Sequence, residues 1–105
     1  MSPEQKAIHD TRQSDYGPWR ANMTGTSQQI AGMLTQMLST GAAKIQNGAI
    51  TLPPWAAPLF MTAVKSNRIA SGHYKQDNAD DAAIYAEFVM TMQREAADAK
   101  PDYGG

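Results

Sequence analysis

Ile30, Met33, Leu34, Met37 and Leu38 recur at the i, i+3, i+4, i+7, i+8 spacing that lines one side of an α-helix. In a strand the same residues would fall on both faces, because alternate side chains point opposite ways. The stripe therefore commits its segment to a helix with one buried side. Thr26 or Ser27 is placed to cap that helix and Gly41 to end it.

Three more segments read the same way. Ser2-Pro3-Glu4-Gln5 offers a cap, a proline suited to the first helical position and an acid toward the helix dipole. This predicts a helix from Pro3 to about Ser14 that breaks at Gly17-Pro18. Pro53-Pro54 lead into a helix from about Trp55 to Ser71, with Gly72 as its stop and Pro58 in the first turn, where proline is tolerated. A fourth helix from about Asn78 to Ala99 carries Asp81, Ile84, Tyr85, Phe88, Val89 and Met92 on one stripe, and Pro101 closes it. The connection from Gly41 to Pro54 has room for one short strand around Ala49 to Leu52. The expected fold is all-α, a small up-and-down bundle of about four helices. It forms one helical domain over residues 1–105, with a tail frayed from about residue 100. A chain of 105 residues builds only a modest core, so a homo-oligomer is expected.

Composition narrows the function classes. Nine basic residues against ten acidic ones give a net charge of -1, which argues against bulk nucleic-acid binding and against an anionic membrane surface. Any anion site must be local. With no cysteine there is no disulfide, thiolate metal site or cysteine nucleophile. No apolar run approaches the roughly 18 residues of a membrane span, and the opening MSPEQKAIHD lacks the regions of a signal peptide. A cytoplasmic location is expected.

Charged residues interrupt the apolar faces of the last two helices. Met61, Val64, Lys65 and Arg68 share one side of the third, while Asp77 and Asp81 precede Tyr85, Phe88 and Met92 on the fourth. A connection of about five residues makes these helices antiparallel, so Lys65 and Arg68 are expected to face Asp77 and Asp81. In one reading the four groups neutralise each other and fix the helix register. In the other they line a cleft, where Lys65 and Arg68 hold a phosphate and Asp77 and Asp81 orient them or bind a metal ion.

Three blocks, RQSDYGPWRAN, MTAVKSNRIASG and DNADDAAIYAEF, stand in order from about Arg12 to Val89. Together they resemble the phage-associated nucleotide-modification-associated domain and its small phage relatives. The matching residues are Tyr16, Gly17 and Asn22, then Lys65, Arg68 and Ile69, then Asp77, Asp81 and Tyr85. The resemblance implies a phage or prophage origin, hence a host-cell cytoplasm, and a link to nucleotide metabolism or base modification.

Three functions are weighed. The first is a non-catalytic binder of a nucleotide or cyclic oligonucleotide, using Lys65 and Arg68 on phosphate, Tyr16, Trp19 or Tyr85 on the base, and Asn22 from the resemblance. It needs no cofactor and can act as a sponge against host immune signalling. The second is a magnesium-dependent pyrophosphohydrolase resembling the MazG type, with Asp77, Asp80, Asp81 and Glu87 as candidate ligands. The paired acids this needs on a preceding helix are missing, so the balance leans away from an enzyme. The third is a structural or protein-inhibiting module, using an exposed patch drawn from Met23, Met33, Met37, Trp55 or Met90.

Overall fold

The computed structural model describes residues 2–5, 19–72 and 74–99. These are mostly helical. Residues 3–5 form a helical turn closed by a reciprocal pair of bonds. The Gln5 amide donates to Ser2 Oγ at 3.1 Å, and the Ser2 amide to Gln5 Oε1 at 2.9 Å. This capping box uses the serine that the sequence offers as a cap. The rest of the first expected helix lies outside the described residues.

Three long helices follow: α1 (Trp19–Thr40), α2 (Ala56–Ala70) and α3 (Gln76–Ala99). Helix α1 starts several residues before the expected cap at Thr26 or Ser27. Gly25 and Thr26 read as punctuation, yet both lie inside the helix. The Thr26 hydroxyl donates back to the Asn22 carbonyl at 3.0 Å instead of capping. A Cβ on Gly25 would stand 2.8 Å from Asn67 Oδ1, so this glycine lets α1 and α2 approach. Asn67 answers by donating its Nδ2 to the Ala63 carbonyl at 2.9 Å and to Gln29 Oε1 on α1.

Between α1 and α2 the connection folds as a hairpin of β1 (Lys44–Gln46) and β2 (Ala49–Thr51), with Lys44 opposite Thr51 and Gln46 opposite Ala49. The expected strand is present as β2, but its partner was not anticipated. Asn47 and Gly48 carry φ of 54° and 77°, the left-handed pair that a two-residue hairpin turn requires. Helix α2 starts one residue after Trp55 and ends at Ala70, one residue before the expected Ser71, which caps it, with Gly72 at φ 91° as the expected left-handed stop.

Met37, Ala43 and Ala56 form the buried centre, against which Leu34, Leu38, Trp55, Leu59 and Phe60 pack. The predicted α1 stripe thus faces the core. Helix α2 lies in the middle and packs on both neighbours, while α1 and α3 scarcely meet among the described residues. The last stripe departs from expectation. Tyr85 and Val89 are half-buried, but Ile84, Phe88 and Met92 are exposed, Phe88 and Met92 because they line an open groove against α2. Of the proposed protein-binding patch, Met23 and Met90 are exposed, Met33 and Trp55 half-buried and Met37 buried. No helix among the described residues is long and apolar enough to cross a membrane.

Candidate functional site

Helix α2 ends where α3 begins, and the intervening turn brings their charged residues together. Lys65 Nζ lies 2.9 Å from Asp81 Oδ2, so half of the expected four-residue juxtaposition is formed as read from the helical spacing. The Lys65 side chain is 13% exposed and that of Asp81 42% exposed. The pair straddles the surface, with its cation drawn inward. Arg68, one turn further along α2, is half-buried and sits in the last turn, where the helix dipole favours a cation.

Asp77 stands in the first turn of α3 and is exposed. The loop and turn ahead of it are held by a relay on the surface. The Tyr74 hydroxyl donates to Gln76 Oε1 at 2.5 Å, and Gln76 Nε2 donates to Asp80 Oδ1 at 3.0 Å. Among the described residues no three acidic or histidine side chains gather as a metal site.

The residue that sequence reasoning missed is Asn78. Because α3 starts at Gln76, two residues earlier than expected, Asn78 is the third helical residue and not a cap. Its side chain turns inward and only 2% of the residue is exposed. The Nδ2 atom is buried and meets no acceptor among the described residues. Asparagine is mostly found exposed, and nothing in the helical stripe marks this one as buried. By the i, i+3 rule Asn78 and Asp81 share one face of α3, so an unsatisfied amide stands beside the ion pair.

The start of α1 lies at the same end of the molecule, since Gly25 and Gln29 abut Asn67 near the end of α2. Trp19 opens α1 and stays partly exposed, with the Arg20 guanidinium carbon 4.7 Å from its ring centroid. This cation–π contact accounts for the ring without a core role. Asn22 follows within one turn and is half-buried. Tyr16 and Gly17 lie outside the described residues.

Tyr85 lies one turn beyond Asp81 and meets Phe88 edge to face, 6.3 Å between centroids and 76° between planes. Both rings line a groove of about 460 Å³ between α2 and α3, together with Ala57, Pro58, Met61 and Met92. The Lys65–Asp81 pair lies one helical turn from this groove, since Lys65 follows Met61 on α2 and Asp81 precedes Tyr85 on α3, while the groove itself is lined mainly by apolar side chains.

Removing the Asp81 charge tests how much of this is structural. Asp81→Asn is expected to lower stability by about 1 to 2 kcal/mol, between an exposed pair and a buried one, because the Lys65 ammonium loses its partner in a mostly buried position. Urea denaturation of the two proteins measures it.

A family model described as "Domain of unknown function (DUF6378)" matches residues 1–93. No curated protein and no solved structure matches the chain.

Proposed function

The chain belongs to the DUF6378 family, a domain of unknown function, and we propose that it binds a nucleotide or a nucleotide-derived signalling molecule without chemical change. The observation that carries this reading is Asn78. A buried amide NH₂ with no acceptor among the described residues costs about 1 to 3 kcal/mol, and a ligand or an ordered water that supplies an acceptor removes that cost. Lys65 and Arg68 stand within a turn of one another on α2 to neutralise phosphate, and Asn78 supplies a hydrogen-bond donor. Tyr85 offers a ring for the base, with Trp19 and Asn22 on the bordering end of α1. A binder of this kind acts by sequestration, as a sponge against host immune signalling. The magnesium-dependent alternative has no comparable observation in its favour.

Isothermal titration with common nucleotides and cyclic oligonucleotides tests the proposal. The wild type is expected to bind at least one of them, and Arg68→Ala to weaken that binding by about 10- to 100-fold, the worth of a charge-assisted phosphate contact. Absence of binding across the panel, or an unchanged affinity in Arg68→Ala, contradicts it.

A further inference from the structure

The hairpin turn holds a modification site: we propose that Asn47 converts spontaneously to isoaspartate and that the conversion opens the hairpin. Asn47 is followed by Gly48, and both are exposed. The attacking group is the main-chain nitrogen of Gly48, and with no side chain on that residue nothing crowds its approach to the Asn47 amide carbon. That N–H also lies outside the ladder. Gln46 pairs with Ala49 to close the turn, so the ladder bonds run between those two residues and leave Gly48 out.

The reaction needs only water. The Gly48 nitrogen attacks Asn47 Cγ and gives up its proton, the bond from Cγ to Nδ2 breaks, and ammonia leaves a five-membered succinimide. Water then opens the ring. Cleavage at the main-chain carbonyl carbon gives isoaspartate, with the chain routed through the former side chain, and cleavage at Cγ gives aspartate. Ring closure turns the Asn47–Gly48 peptide away from its left-handed setting, at φ 54° and 77°, so it proceeds from an opened hairpin. This hairpin opens readily: each strand has three residues, all six are exposed, and no third strand pairs with it among the described residues. Asn22, Asn67 and Asn78 instead lie within helices and precede residues that carry side chains.

Isoaspartate adds one carbon to the main chain of a two-residue turn and one negative charge to its tip. The left-handed pair then no longer sets Gln46 opposite Ala49. The change stays local, because the Ala43 N–H donates to the Met37 carbonyl at 3.0 Å and ties the base of the hairpin to the end of α1.

Ageing the full chain at mildly alkaline pH, followed by peptide mapping, tests the site. The peptide holding Asn47 is expected to become one dalton heavier before those of Asn22, Asn67 and Asn78, and to be the one labelled by a protein isoaspartate carboxyl methyltransferase. Gly48→Ala is expected to lose most of that label, since a side chain beside the attacking nitrogen slows ring closure even where the variant's hairpin fails to form. In the converted protein, separated by its added charge, the NMR contact between the Hα atoms of Ile45 and Ile50 should vanish. These two form the pair without ladder bonds, with Cα atoms about 4.5 Å apart. Fresh Asn47→Asp, which has the charge without the extra carbon, should keep the contact, and helical circular dichroism should be unchanged in both. Label spread evenly over the four asparagines, label absent from Asn47, or Gly48→Ala labelled as fast as the wild type overturns the site. A retained Ile45–Ile50 contact in the converted protein overturns the opening.

Discussion

Met37→Ala is expected to lower the unfolding free energy by about 3 kcal/mol. Among the described residues Met37 is the one large apolar side chain in the buried core, whose other members are alanines. It sits where α1, the hairpin connection and the start of α2 converge, with Leu34, Leu38, Trp55, Leu59 and Phe60 around it. Truncation removes its transfer free energy and leaves a cavity that these neighbours fill only in part, a combination that costs about 2 to 5 kcal/mol. For a domain with about 5 to 15 kcal/mol in all, that is a large share, and the melting temperature should fall by on the order of 10 to 20 °C. Met23→Ala, on the exposed side of α1, should change stability by less than about 0.5 kcal/mol. A loss below about 1 kcal/mol at Met37 in urea denaturation would place the core elsewhere.

Asn78→Leu should move stability the other way. Replacing a buried polar residue ordinarily destabilises, because its partners lose their bonds. Here Nδ2 has no acceptor among the described residues, so an apolar group of similar shape removes a desolvation cost and leaves no orphan from that atom. Leucine also has the better helix propensity. In the absence of ligand the variant is expected to be more stable than the wild type by about 1 to 2 kcal/mol. A structural role for the amide predicts the opposite sign, and denaturant midpoints with unchanged slope distinguish the two.

The parts of this molecule legible in the sequence are those set by local spacing. The α1 stripe, the bounds of α2 between Trp55 and Gly72, and the Lys65–Asp81 pair all follow from helical periodicity and a short turn. The start of α1 was not legible, because Gly25 and Thr26 break a helix by propensity, and only the approach of Asn67 from α2 explains the glycine. The strand β1 was hidden because Lys44–Gln46 is only three residues, too short for its polar-apolar-polar alternation to stand out, and it is specified mainly by the Asn47-Gly48 turn. The burial of Asn78 was not legible either, because the helix starts two residues before the expected Asn78 and carries this polar side chain inward, outside the apolar stripe. The exposed Ile84–Phe88–Met92 row satisfied the helical pattern, but periodicity reports that a face is apolar and not what covers it.

The most direct test of the ligand site is the stabilisation that a nucleotide confers on the wild type and on Asn78→Leu. At a ligand concentration 100 times its dissociation constant the wild type should gain about 2.7 kcal/mol. At the same concentration Asn78→Leu, though the more stable protein without ligand, should gain about 1 to 2 kcal/mol less. Equal gains in the two proteins, or no gain in the wild type with any nucleotide of the panel, would contradict the account.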